Sequence, residues 1–365
     1  MPASPHLSRH RRSALSRRGK LVAAGATVAV AATGALGYFA LFPQQAPAFV
    51  RSTLQTVGIV GDEVGPPAPT CPLTGEAVPG GKVPARPALA IKVENHPEAR
   101  PQAALNDADI VVEEPVEGGY TRFIAIFQCG ESDRVGPVRS GRLTDPDYLR
   151  QLGTTVFGYS GGVQAVRDRV AAAGLVDVNF DTTSEAYTRD PARIAPHDVF
   201  TTTAALWEAG AAPQRAPEPL FTYAETWEGR SRRIAVAHLP FSSVSDVSWT
   251  WSRRTGTWLR SHGDVPHTVE DGSQVAATNV VIQVVAVSAS AIVDAAGNAS
   301  PDVELIGSGK VYVLRDGRVI TGRWERSSLR RGTTFVTRDG EEIPLLPGRT
   351  WVELLPSSIA VELSR

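Results

Sequence analysis

Between Asn95 and Arg142 the chain gathers charged, amide and glycine residues in a pattern suited to holding an anion. The stretch includes Asn95-His96-Pro97, Arg100-Pro101-Gln102, Asp107-Ala108-Asp109 and Glu113-Glu114-Pro115-Val116-Glu117-Gly118-Gly119-Tyr120-Thr121-Arg122, and it closes at Gly136-Pro137-Val138-Arg139-Ser140-Gly141-Arg142. Arg122, Arg139 and Arg142 offer planar forks that fit carboxylate or phosphate. Gly118-Gly119 and Gly161-Gly162 permit close backbone approach, and the second pair stands where a strand should pass into a helix, a junction with free N–H groups for an anion. Asn95, His96, Arg100, Glu113, Glu114, Glu117, Ser140, Arg193 and His197 complete the candidate ligand-binding set. In a strand Glu113 and Glu114 point to opposite faces, so one of them is expected to face solvent or a site. An alternative stands beside this reading: Arg and Glu in such loops also form structural ion pairs, and glycine pairs also serve as plain turns.

Other chemistry is less well supported by spacing. His197, near Asp190 and Asp198, has the means to act as an acid or base, but a His after Pro196 is more often a loop residue bonded to backbone. His262, Asp264 and His267 lack metal-ligand spacing and read as a structural β loop, so no metal site and no cofactor are expected. Ser160 lacks the Gly-x-Ser-x-Gly elbow of a serine hydrolase, and neither glycine pair has P-loop spacing.

The elements that must position these residues follow from periodicity. Ala88–Val93, Asp109–Glu114 and Thr121–Gln128 are short runs rich in Val, Ile and Phe and read as strands. Thr144 should cap a helix that runs to Leu152 and stops at Gly153. A strand at Thr154–Tyr159, a helix from Val163 to Ala173 ended by Gly174, and a helix capped around Thr201 follow. Residues 87–212 therefore form an α/β or α+β domain. The proline-rich stretch from Ala211 to Pro219 supports neither element and sets a domain boundary. Residues 220–358 read as mainly β, a small barrel or sandwich with its Trp residues in the core. Its strands are expected at Ile234–Ala237, Val247–Trp251, Thr257–Ser261, Asn279–Ala286, Lys310–Leu314, Val319–Trp324 and Thr350–Leu354, with Asp316-Gly317 as a hairpin turn.

The start of the chain decides the compartment. Arg9, Arg11, Arg12, Arg17, Arg18 and Lys20 precede the uncharged run Leu21–Phe42, and no acidic residue occurs before Asp62. As a helix that run spans about 33 Å, enough for a hydrocarbon core of about 30 Å. Residues 1–20 are thus expected as a cytoplasmic tail, 21–42 as a single transmembrane anchor and 43–86 as a Pro/Gly-rich tether, with the body outside the membrane. Cleavage after Ala46-Pro47-Ala48 is the competing reading. The formal net charge is −1 from 37 cations and 38 acids, and leaving out the six N-terminal cations puts the body near −7, which disfavours nucleic acid. Cys71 and Cys129 are the chain's two cysteines; in an oxidising compartment they are read as a disulfide, with two buried thiols as the alternative.

Several of these motifs together resemble the YerB-like family of bacterial envelope lipoproteins: Asn95 to Gln102, Asp109 to Phe127, Gly136-Pro137-Val138-Arg139-Ser140 and Ala195-Pro196-His197. In the second domain Gly307-Ser308-Gly309-Lys310, Gly322-Arg323-Trp324 and Pro347-Gly348-Arg349-Thr350-Trp351 continue the likeness. The resemblance spans about Pro72 to Pro356 and implies an envelope location and a two-domain architecture rather than a reaction. The lipid-bearing cysteine of the lipoprotein members is missing after the apolar run. A looser analogy of fold links Thr121–Gln128 and Pro137-Val138-Arg139 to the LytR-CpsA-Psr enzymes of wall-glycan transfer. The expectation is a membrane-anchored envelope protein that binds an anionic wall or lipid-linked ligand. Its rivals are a phosphotransferase or hydrolase with Asp109, Glu113 or Glu114 as base or metal ligand, and a scaffold for cell-wall synthases.

Overall fold

Alternation in Ala88–Glu94 sends Leu89, Ile91 and Val93 to one side and Ala88, Ala90, Lys92 and Glu94 to the other, yet all seven residues are buried. A strand of this kind needs cover on both faces. The computed structural model, which describes residues 68–293 and 297–365, shows how that cover is supplied. The expected tail, the anchor at Leu21–Phe42 and most of the tether lie outside the described residues. Among the described residues no helix is long and apolar enough to cross a membrane.

The described residues build an eleven-stranded mixed sheet. Its order is Thr334–Val336, Arg318–Arg326, Gly307–Arg315, Asn279–Val285, Thr350–Pro356, Ile110–Pro115, Thr121–Phe127, Ala88–Glu94, Thr155–Gly158 and Val176–Asp177, with Arg232–Arg233 added beside Arg318–Arg326. Thr350–Pro356 lies between Asn279–Val285 and Ile110–Pro115 and runs parallel to both. The C-terminal strands therefore do not close into a separate barrel. Part of them extends the N-terminal sheet, others form a six-stranded layer in which Ser245–Ser252 pairs with Thr257–His262 and with Val236–Ser242, and Val287–Val293 pairs with Ala299–Val303 apart from both.

That layer and the helix Thr203–Gly210 cover one face of the large sheet, with Trp249, Trp258 and Leu206 packed near Leu89, Phe123 and Trp351. The helices Thr144–Leu149 and Gln164–Ala173 cover part of the other, through Tyr148, Leu149, Val166 and Val170 against Ala90, Ile124 and Val352. The N-terminal region mixes helix and strand, as expected, and the C-terminal region is mainly β.

Local signals explain most boundaries. Gly174, at φ 74°, ends the helix Gln164–Ala173, and Thr202 caps Thr203–Gly210 by accepting the Ala205 N–H at 3.0 Å. Thr144 does not cap: it is already helical, and Leu143 precedes it with no side-chain bond. Asp316 and Gly317, at φ 48° and 64°, join Gly307–Arg315 to Arg318–Arg326 in the expected two-residue turn. Trp251 leaves no room there, because a Cβ on Gly317 would stand 2.6 Å from its Nε1. Among the features not expected are the Val287–Val293 and Ala299–Val303 hairpin, and Glu362–Ser364, which pairs with Val236–Ser242.

Cys71 and Cys129 are joined, with Cα atoms 6.0 Å apart across 58 positions of sequence. A loop of that size contributes about 4 kcal/mol in the chain-entropy treatment.

Candidate functional site

Across three neighbouring strands, antiparallel register sets Glu94 opposite Arg122 and Arg122 opposite Glu114. This row lies on the face that begins with Ala88 and Ala90, so the sheet changes from apolar to charged towards one end. A cavity of ≈ 330 Å³ opens there, lined by Glu94, Glu117, Arg122, Arg139, Arg142 and His197, with His96, Glu98, Gly118 and Tyr120 among the other wall residues.

The three arginines expected to act together do meet in this cavity. Arg139 donates through Nε to Glu94 Oε1 at 2.8 Å, and Arg142 donates through Nε to Glu117 Oε2, also at 2.8 Å. Ser300, from the unexpected hairpin, donates a further bond to Glu117. Burial alone would raise the Glu117 carboxyl, but Arg142 and Ser300 together hold it below its ordinary value. Arg122 differs. Its Nη1 donates to the Ser140 carbonyl at 3.2 Å, and among the described residues no carboxylate lies within ion-pair distance of it. Burial, then the charges of Arg142 and Arg139, push its guanidinium down to about 9. Glu94 and Glu117 offset part of that shift, and a bound anion would offset more of it.

Glu113 and Glu114 are corrected from the expectation that one of them faces a site. They do point to opposite faces, but both faces are covered and neither glutamate has any exposed surface. Each lies in a centre of one cation and two carboxyl groups. Glu113 accepts Arg260 Nη2 at 2.8 Å on each carboxylate oxygen, Arg260 Nε at 3.2 Å and Thr121 Oγ1 at 2.6 Å, and Glu353 stands beside it on the paired strand. Burial and Glu113 push the Glu353 carboxyl well above its ordinary value. Glu353 Oε1 accepts from Trp249 Nε1 at 2.7 Å, and its Oε2 has no hydrogen-bond partner among the described residues. On the opposite face Lys92 donates to Glu114 and to Asp145 Oδ1, the latter at 2.7 Å. Burial, with Asp145 next in importance, pushes Glu114 up to about 7. Asp109 is also structural: it accepts the backbone N–H groups of Gln128, Cys129 and Gly130 at 2.5, 3.0 and 3.1 Å. None of the three carboxylates assigned as base or metal ligand reaches the cavity.

The remaining candidates divide. His96 and His197 stand in the wall, stacked with ring centroids 5.3 Å apart. Asn95 is buried beneath it, donating to Thr121 Oγ1 at 2.8 Å, and Arg100 is spent on Asn95, with Nη2 to its carbonyl at 2.9 Å. Burial and the neighbouring Arg260 push Arg100 down to about 10. Ser140 enters through its carbonyl, which accepts from Arg122 and Arg142. Arg193 is a tie rather than a ligand residue, holding the carbonyls of Ala99 and Pro101 at 3.0 and 2.7 Å and Glu270 at 2.9 Å. Gly161 and Gly162 do not line the cavity; the Gly161 carbonyl accepts from Gly141 N–H, and Gly162 borders a neighbouring groove.

Sequence reading missed Glu94, which accepts from Arg139 and bonds His197 Nδ1 at 2.7 Å. It also missed Glu98 and the buried Lys92, Asp145, Arg260 and Glu353. Glu94 is the last residue of a buried strand, where period-2 alternation puts it on the face of Lys92, and that was the available signal.

Larger concavities lie elsewhere. One of ≈ 690 Å³ has Arg150, Arg215, Arg330 and Arg331 in its walls, and one of ≈ 490 Å³ has Trp251 with Arg233, Arg253, Arg318 and Arg365. The Arg122 cavity is smaller but has buried charges fixed by the sheet.

Comparison with known proteins places this geometry in a family. Residues 73–216 match the N-terminal domain, and residues 237–352 the C-terminal domain, of the protein of unknown function DUF3048. A Bacillus subtilis (strain 168) protein named "Putative lipoprotein YerB" is 30% identical over 308 residues, 80% of this chain and 88% of that protein. The crystal structure of YerB protein from Bacillus subtilis superposes with a TM-score of 0.70 at 26% identity, covering 80% of this chain and 99% of the other. The first match ends at residue 216 and the second begins at residue 237, and the large sheet runs through both.

Proposed function

The chain belongs to the DUF3048, YerB-like family, and from that membership and the arginine cavity we propose an envelope-associated protein that binds an anionic wall or lipid-linked ligand outside the membrane. The observation that carries the reading is Arg122. Arg139 and Arg142 have carboxylate partners, whereas the Arg122 guanidinium, half-buried in the wall, has none within ion-pair distance among the described residues. A phosphate or carboxylate group supplies the missing charge through the fork geometry that guanidinium favours.

Three features support the location. The relative's name describes a lipoprotein, the Cys71–Cys129 bond suits an oxidising compartment, and residues 1–42 have the cationic flank and apolar length of an N-in anchor.

The test is co-purification. Wild-type protein extracted from membranes in mild detergent retains a phosphate-bearing lipid or glycan detectable by mass spectrometry, and Arg122→Ala retains about 10- to 100-fold less, the scale of a lost charge-assisted bond. Equal retention by the two proteins counts against the cavity as the binding site.

A further inference from the structure

We propose that His96, Glu98 and His197 form a binding site for a divalent transition-metal ion of the zinc class. One ligand atom from each residue lies within 4.8 Å of the others. Glu98 Oε2 stands 3.2 Å from His197 Nε2 and 3.8 Å from His96 Nδ1. Ligand atoms at roughly 2.0–2.1 Å from a tetrahedral zinc are roughly 3.3–3.4 Å apart, so these separations bracket that edge. Two imidazoles and one carboxylate form a donor set that zinc and its neighbours in the first transition row accept.

The surroundings of His197 supply a second and independent observation. Its Nδ1 is bonded to Glu94 Oε2 at 2.7 Å, and Glu94 is held in turn by Arg139. An imidazole that gives its N–H to Glu94 presents a lone pair at Nε2, which faces a carboxylate oxygen 3.2 Å away. A positive species between these two atoms, a proton on the imidazole or a metal ion, satisfies both, and the cobalt titration separates the two cases. The carboxylate–histidine–metal chain is the arrangement that fixes the tautomer and aim of a metal-binding histidine. His96 Nδ1 accepts the Glu98 backbone N–H at 3.3 Å, a long bond that the ring exchanges for the metal.

Only part of this inference depends on the anion reading. The metal site stands on the three side chains and Glu94, whereas completion of its coordination by an oxygen of the anion rests on the proposed function, because all three ligands line the cavity of Arg122.

Cobalt(II) titration of the untagged full-length chain, stripped with EDTA in detergent, tests the site. The expected result is a saturating visible d–d spectrum at one cobalt per chain, reversed by zinc. Glu94→Gln weakens binding about 10- to 100-fold and His197→Ala by at least as much. Glu98→Gln must also weaken binding, and since that side chain is 74% exposed, its loss cannot be ascribed to misfolding. Arg122→Ala keeps the cobalt spectrum while losing inorganic pyrophosphate, so the two proposals fail separately. Absence of saturable cobalt binding, or an affinity unchanged in both Glu98→Gln and His197→Ala, overturns the metal site.

Discussion

Arg260→Met lowers the unfolding free energy by about 3–5 kcal/mol, although methionine fills much of the same space. The guanidinium is fully buried and has a partner for each nitrogen: Nε and Nη2 donate to Glu113, and Nη1 donates to His267 Nδ1 at 2.8 Å and His262 Nε2 at 3.0 Å. Burial and the charge of Arg260 hold both histidines far below their ordinary value, so they are neutral acceptors. His267 Nε2 continues to Gln102 Oε1 at 2.8 Å, and Gln102 Nε2 donates to the Glu94 carbonyl at 2.9 Å, directly behind the cavity wall. Removing the cation leaves Glu113 and Glu353 with one negative charge and nothing to balance it. The loss should be smaller in the Arg260→Met, Glu113→Gln double variant than in Arg260→Met alone, because the second change removes the stranded charge. Denaturant midpoints at constant slope measure both effects. A double variant weaker by the sum of the two single losses would show that the pair is not coupled.

Lys92→Met has the second largest expected effect, about 3–5 kcal/mol near neutral pH, and its size should depend on pH. Lys92 balances Glu114 and Asp145 in a centre with no exposed side-chain surface. Glu114 rises from 4.5 to about 7 on folding, through burial first and Asp145 second. A carboxyl raised in this way keeps a proton that the unfolded chain has lost. The stabilisation is complete below about 4.5 and fades as pH rises through about 7, with the folded state binding more protons in that window. Without Lys92 both acids must be neutral to remain buried, so the penalty of the substitution is larger at about pH 8 than at about pH 5. Unfolding curves at those two pH values check the sign; a penalty independent of pH would contradict the assignment.

These two centres explain what the sequence could and could not reveal. Strands such as Ala88–Glu94 and Thr121–Phe127, the Asp316-Gly317 turn and the stop at Gly174 are local, and period or turn chemistry exposes them. The cystine was legible from two cysteines and the expectation of an exported body. Arg122, Arg139 and Arg142 lie within about twenty positions of one another, so their convergence needed only one strand and one loop. The burial of Glu113 depends on Arg260, 147 positions away. The joining of the two regions depends on Thr350–Pro356 entering between strands that are far from it in sequence. No short window carries such pairings, and this is why a charged pair in a strand looked like part of a site. The His96, Glu98 and His197 cluster was hidden for the same reason, since His197 returns to the cavity about a hundred positions after its neighbours.

The central claim is that the cavity around Arg122 holds an anion, and calorimetric titration of the full-length protein in detergent tests it most directly. Polyprenyl phosphate and inorganic pyrophosphate serve as the lipid-linked and free forms of the same chemistry. The account predicts saturable binding at one site per chain, weaker by about 10- to 100-fold in Arg122→Ala while the unfolding midpoint stays close to that of the wild type. Affinity identical in wild type and Arg122→Ala, or no binding of either phosphate, would contradict it.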